Sequence, residues 1–263
     1  MMMTAKISEI FQSIQGEGKY AGVRQVFVRF FSCNMRCVWC DTPVSMGEGN
    51  SNYQELDLQD VFSRVSALWK NCHSVSLTGG EPLVQTHFIE NLLPLMKRAG
   101  MPVFLETNGI LYQQFQRIVD DVDIIAMDIK LPSSTQDRAY WQEQEEFLKM
   151  AVAKDVFIKI VVSTRALKAD ILKAVDLVAG VSRDIPVIIQ PNYYDMPTDF
   201  PKSNGTLRQS VSRPPFPKRR GSISCTEINN VVISKCLEFQ EVCLSRLKDV
   251  RVLPQTHKWM NLR

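Results

Sequence analysis

A chain of 263 residues with 45% hydrophobic and 22% charged side chains has the balance of an ordinary globular protein with a full core. Its net charge of +3 is too small to point to nucleic acid or a membrane surface, and no run approaches the roughly 18 apolar residues of a membrane span. Seven cysteines form no even framework, and Met1-Met2-Met3-Thr4-Ala5-Lys6 leads into no signal-peptide core, so a reducing, cytoplasmic setting is expected.

In chain order, Ile7–Ile14 reads as an extended strand running into Gln15-Gly16-Glu17-Gly18. Two glycines around a carboxylate suit either a plain turn or a loop that approaches a ligand closely. The apolar run 26–31 predicts a strand, and Arg29 inside it needs an anionic partner or an opening onto a cavity. Directly after it come Cys33, Cys37 and Cys40 at C-x3-C-x2-C spacing. A closed zinc site takes four protein ligands, and a four-iron cluster normally takes four cysteines. Three thiols therefore leave one metal corner free, unless Cys72 or His73 completes a zinc knuckle or the cysteines are inert core thiols.

Beyond this loop, helices are predicted over 57–71, 86–99, 111–120, 138–154 and 168–180. They alternate with strands at 75–77, 102–106, 123–128, 156–162 and 185–190. The alternation is that of βα units on a parallel sheet of about six strands, either an open doubly wound sheet or an incomplete barrel. Chemistry in such folds collects where the strands end. Those ends read Thr78-Gly79-Gly80-Glu81-Pro82, Glu106-Thr107-Asn108-Gly109, Asp128-Ile129-Lys130, Ser163-Thr164-Arg165 and Gln190-Pro191-Asn192-Tyr193.

Between about 196 and 224, prolines, serines and Lys218-Arg219-Arg220 replace the alternating pattern, which predicts a flexible insert. Glu227–Leu247 then predicts a helix with Val231, Val232, Leu237, Val242, Leu244 and Leu247 on its apolar face, and 250–253 a last strand delivering Gln255 and His257. The expected division is a core over 1–195, the insert over 196–224, and a C-terminal helix and strand over 225–263 that complete the core.

The cysteine spacing followed by Gly79-Gly80-Glu81-Pro82 resembles the radical S-adenosylmethionine (SAM) superfamily. That resemblance implies an incomplete TIM-type barrel, a [4Fe–4S] cluster on Cys33, Cys37 and Cys40, and SAM on the fourth iron. The elements Phe11-x-Ser13-Ile14-Gln15-Gly16-Glu17-Gly18, Val28-Arg29-Phe30, Cys40-Asp41-Thr42 and Gln255-Thr256-His257-Lys258 narrow it to the 7-carboxy-7-deazaguanine synthases. Membership would imply a lyase that converts 6-carboxy-5,6,7,8-tetrahydropterin with loss of ammonia, in 7-deazapurine (queuosine-type) biosynthesis. Ile14, Gln15, Gly16, Glu17, Arg29 and Thr78 would contact the pterin, with Gln255 and His257 brought beside it. Gly79, Gly80, Glu81, Asp128, Ile129, Lys130, Gln190, Pro191, Asn192 and Tyr193 would contact SAM, and Val38 and Trp39 would lie along its adenine. Thr42 would ligate Mg²⁺. An external electron donor such as flavodoxin and a homodimer are also implied; a membrane or nucleic-acid partner is not. The rivals are a glycyl-radical activase, which has no evident need for the 15–18 loop or Thr42, and a non-catalytic iron–sulfur or zinc protein using the basic insert.

Overall fold

The computed structural model describes residues 3–47, 52–192, 225–260 and 262. Tyr193, the basic run and the rest of the 196–224 insert lie outside the described residues. Two antiparallel strands, β1 (Thr4–Ile14) and β3 (Gln54–Asp57), form one edge of the sheet. The parallel part runs through β2 (Arg24–Phe30), β4 (Ser74–Gly79), β5 (Val103–Thr107), β6 (Ile124–Asp128), β7 (Asp155–Val162), β8 (Val187–Pro191) and β9 (Val250–Val252). The order β3-β1-β2-β4-β5-β6-β7-β8-β9 leaves the two end strands unpaired with one another, so the barrel is incomplete, as expected.

Helices α1 (Leu58–Leu68), α2 (Thr86–Arg98), α5 (Trp141–Ala151) and α6 (Lys168–Val181) fall close to their predicted spans. The predicted 111–120 helix shortens to α3 (Tyr112–Gln116) and a 3₁₀ turn at Val119–Asp121. Asp120 and Asp121 would place two carboxylates at the negative end of a longer helix, which opposes its extension. The short α4 (Pro132–Thr135) was not predicted. Strand β3 was also missed, because four residues carry too little alternation to register.

Helix α7 (Cys225–Leu244) packs on β8, β9 and α6. Its buried stripe is Val232, Cys236, Phe239 and Cys243, whereas Val231, Leu237 and Leu244 are exposed. Of the predicted face, Val232 and Leu247 are buried and Val242 packs against the core, while Cys236, Phe239 and Cys243 take the places expected of Val231, Leu237 and Leu244. Among the described residues no helix is long and apolar enough to cross a membrane.

Alternation along each strand divides the sheet into two faces. One, with Val26, Val28, Val75, Leu77, Leu105, Met127, Ile158 and Ile189, joins the helices in the main core. The other carries a smaller cluster of Phe104, Ile124, Ala126, Phe157 and Ile188. Two residues further along, the same face bears Glu106, Asp128, Lys159 and Gln190. Arg29 and Thr78 face each other in register one strand pair away. An apolar floor thus gives way to a polar rung near the strand ends.

Candidate active site at the strand ends

Above that floor lies a cavity of about 440 Å³, within the usual range for ligand pockets. Cys33, Cys37, Trp39, Cys40 and Thr42 line it from the loop after β2, and Ile14, Gln15, Gly16, Glu17 and Arg29 from the β1–β2 side. Thr78, Gly79, Gly80, Glu81, Asp128, Lys130 and His257 complete the set of predicted residues that meet there.

The cysteine loop is hooked onto the end of β4. Gly80 N–H donates to Phe30 O at 3.1 Å, Glu81 N–H to Ser32 O at 2.9 Å, and Ser32 N–H to Ser45 O at 2.8 Å. Gly79 has φ +134°, and a Cβ there would fall 2.1 Å from Phe30 O. The first glycine of the turn thus serves the seating of the cysteine loop as well as any ligand.

Burial pushes the Cys33 thiol up to about 12 and raises Cys37 and Cys40 as well. Met35, Ile110 and Tyr140 form a small apolar cap against which Cys33 and Cys37 pack. Among the described residues, only Glu17, Asp41 and His257 bring three ligand-type atoms within 4.8 Å of one another. The three thiol sulfurs do not all lie within that distance of one another, as a preformed zinc site would require. His73 donates its N–H to Arg24 O, at the opposite end of β2, on the order of 20 Å from the cysteine loop. Neither it nor the neighbouring Cys72 completes a zinc knuckle.

On the opposite side, Gln15 Nε2 donates to Gln25 Oε1 at 3.0 Å and Glu106 Oε1 at 2.9 Å. Ser76 and Thr78 hydroxyls also donate to Glu106, each at 3.1 Å, so Glu106 belongs to this wall. Glu17 accepts from Lys159 Nζ at 2.6 Å and Gln255 Nε2 at 2.5 Å. Burial favours the neutral Glu17 acid, but the Lys159 charge and these donors outweigh it and hold the carboxyl well below its usual range.

The anionic partner that Arg29 requires is Glu9. Arg29 Nε donates to Glu9 Oε1 at 2.8 Å, because β1 and β2 place the two side by side. The C-terminal segment closes this side. Thr256 N–H donates to Gly16 O at 2.9 Å, and a Cβ on Gly16 would lie 1.9 Å from His257 Nδ1. Gln255 also donates to Asp41 at 3.2 Å, and Lys258 Nζ lies 3.3 Å from Asp41. With Lys159 and Lys258 already paired to its two carboxylates, the Glu17–Asp41–His257 group is neutralised from within.

Toward β6, Lys130 Nζ donates to Asp128 at 2.7 Å and lies 5.1 Å from the Trp39 ring centre. Burial disfavours its charge, but Asp128 and Cys37 more than compensate and raise its pKa. Trp39 Nε1 donates to Ser134 O at 2.8 Å, and Ser134 Oγ donates to Ser163 Oγ at 2.8 Å, which places Ser163 behind the wall. Thr107 and Asn108 line the cavity and donate to Glu81 at 2.9 and 2.8 Å.

Several predicted residues lie away from the cavity. Ile129 is 1% exposed and belongs to the helix-side core, since alternation turns it away from Asp128 and Lys130. Val38 is 49% exposed to solvent. Gln190, Pro191 and Asn192 are buried near the end of β8 without lining the cavity. Gln190 Oε1 and Asp128 Oδ1 are buried acceptors without a hydrogen bond among the described residues, although Lys159 Nζ lies 3.5 Å from Asp128 Oδ1 as an ion pair. Asp128 Oδ1, on the cavity wall beside the three thiols, fits a ligand that brings an N–H or O–H donor.

Glu81, 1% exposed, makes a pH prediction. Burial pushes its carboxyl up to about 7, against N–H donors from Asn108 and Leu83 and the Thr107 hydroxyl, which favour the anion. Unfolded, the group ionises near 4.5, so between 4.5 and 7 the folded state holds more protons and stability falls as pH rises. Glu81→Gln cannot ionise and lacks that slope. Relative to it, the native protein is expected to lose on the order of 2 kcal/mol across that window in urea titrations. Parallel curves would show that Glu81 ionises as readily folded as unfolded.

Residues 28–178 match the family model of the radical SAM superfamily. A 7-carboxy-7-deazaguanine synthase of Geobacter sulfurreducens is 35% identical over 273 residues, covering 97% of each chain. One from Thermoplasma acidophilum is 34% identical over 189 residues, covering 70% of this chain and 81% of the other. The crystal structure of QueE from Escherichia coli shares the fold at TM-score 0.58 and 19% identity, covering 97% of this chain and 95% of that one.

Proposed function

Because the chain belongs to the 7-carboxy-7-deazaguanine synthase family of the radical SAM superfamily, we propose that it converts 6-carboxy-5,6,7,8-tetrahydropterin to 7-carboxy-7-deazaguanine with release of ammonia. The observation that carries this reading is one cavity that joins the three cysteines, the Gln15–Glu17 loop, Asp41-Thr42 and His257.

Cys33, Cys37 and Cys40 would hold the [4Fe–4S] cluster as thiolates, releasing on binding the protons that burial makes them keep in its absence. SAM would rest against the Gly79–Glu81 turn, Trp39, Asp128 and Lys130, with Asp128 Oδ1, which Lys159 meets only at 3.5 Å, accepting one of its donors. Bound together, cluster and SAM supply one-electron cleavage of a sulfonium and a hydrogen-abstracting radical. The protein's part is to bind, orient and exclude water.

Glu17 and Glu106 are half-buried acceptors suited to the N–H edge of a pterin, and Gln15 ties the two walls together through its bond to Glu106. Arg29 offers a guanidinium to the substrate carboxylate while Glu9 fixes its Nε. Thr42 supplies an oxygen ligand for Mg²⁺, whose charge would hold the same carboxylate. An external one-electron donor of the flavodoxin type and a homodimeric assembly complete the reading.

Arg29→Ala is expected to raise KM for the carboxypterin by about 10- to 100-fold, the worth of a charge-assisted hydrogen bond. Steady-state kinetics under anaerobic conditions checks it, and an unchanged KM would remove Arg29 from the substrate wall.

A further inference from the structure

Lys159 stands on the polar rung of β7, in register with Asp128 of β6, and is 4% exposed. Neither the sequence motifs nor the strand-end pattern singles it out. Its Nζ donates to Glu17 Oε2 at 2.6 Å and lies 3.5 Å from Asp128 Oδ1. Asp128 gives its other oxygen to Lys130, while Gln255 holds the other oxygen of Glu17. Charges of alternating sign thus cross the cavity from the SAM side to the Gln15–Glu17 loop, and Lys159 is the joint between the two halves.

A lysine this buried is costly unless paired, and removing one partner of a buried pair leaves the other uncompensated. Each Glu17 oxygen spends one lone pair on a protein donor and keeps another for a ligand. We propose that Lys159 is a positioning residue: it fixes Glu17 at a set distance from Asp128, so that the free lone pairs of Glu17 face the pterin N–H groups. The proposal rests on the reading of Glu17 as a substrate contact. Lys159 acts through Glu17, and this separates it from a residue that touches the substrate directly.

The test is equilibrium binding of 6-carboxy-5,6,7,8-tetrahydropterin to anaerobically reconstituted protein with SAM and Mg²⁺ but no reductant, so that nothing turns over. Glu17→Gln and Lys159→Met are each expected to weaken binding by about 10- to 100-fold, as loss of a hydrogen bond to a charged group does. The double variant is expected to bind no more weakly than the weaker single variant, because both remove the same interaction. Lys159→Arg is expected to recover most of the loss. If losses multiply in the double variant, or if Lys159→Met binds within about twofold of the native protein, the proposal is overturned. Should Lys159→Met fail to fold, Lys159→Met/Glu17→Gln, which leaves no unpaired anion at position 17, is compared with Glu17→Gln alone. Equal affinities then support the proposal, and a further loss overturns it. Failure of the native protein to bind the carboxypterin would instead overturn the substrate reading, and the proposal with it.

Discussion

Cys37→Ala is expected to abolish product formation and cluster-bound iron while leaving the fold intact. The thiol lies between Cys33 and Cys40 on a single loop that already supplies all three expected ligands. Loss of one leaves two, and among the described side chains no other cysteine comes near: Cys72 is at the far end of β2, and Cys236 and Cys243 are buried in α7. Since the difficult chemistry belongs to the cofactors, the rate is expected to fall by more than about 10⁶-fold. Stability is expected to change by only about 1 kcal/mol, because Cys37 is half-buried against the Met35–Ile110–Tyr140 cap. Iron and sulfide analysis beside a thermal melt separates the two effects. A variant that keeps its cluster, or that turns over without one, would remove the three-cysteine loop from the centre of the site.

Gly79→Ala is expected to cost about 4 kcal/mol or more, among the largest effects of any single substitution in this chain. Two penalties coincide there. The φ of +134° disfavours any side chain, and the new Cβ would fall 2.1 Å from Phe30 O and 2.6 Å from Phe30 N. Both neighbours are backbone in a strand paired with β4, so neither yields without opening the β2–β4 ladder that carries the cysteine loop. Gly100→Ala is the control. Gly100 has φ +65° but nothing within 4 Å of the new Cβ, so about 1 kcal/mol is expected. Urea midpoints at constant slope compare the two, and a cost for Gly79→Ala no larger than the control would show that the turn relaxes freely.

These residues also show how far the sequence carried. The cysteine spacing and the Gly-Gly-Glu-Pro turn are each a contiguous run of the chain, so the first two strand ends were legible directly. The alternation of short β-branched runs with amphipathic segments placed the parallel strands within a few residues. What it did not convey was side-chain parity near the strand ends. Asp128, Ile129 and Lys130 read as one motif, yet only the first and third face the cavity, since neighbours on an extended chain point opposite ways. Lys159 was hidden for the related reason that it sits inside an apolar run, Val156–Val162, where its charge has no local partner. Its partners, Glu17 and Asp128, arrive from distant parts of the chain. Arg29 raised the right question, since a charged residue in a strand requires an anion, but only the β1–β2 register answers it with Glu9. The apolar face of α7 was only partly legible, because Val231, Leu237 and Leu244, which are exposed, were counted in it while the buried Cys236, Phe239 and Cys243 were not.

The central claim is that one cavity holds a cluster, SAM and a carboxypterin in reacting order. The most direct measurement is anaerobic reconstitution with iron and sulfide, followed by incubation with SAM, reductant, Mg²⁺ and 6-carboxy-5,6,7,8-tetrahydropterin, with product and ammonia quantified together. The expected result is 7-carboxy-7-deazaguanine and ammonia in equal amounts. Cleavage of SAM with no deazapurine formed would contradict it, leaving the superfamily in place and the substrate wrong.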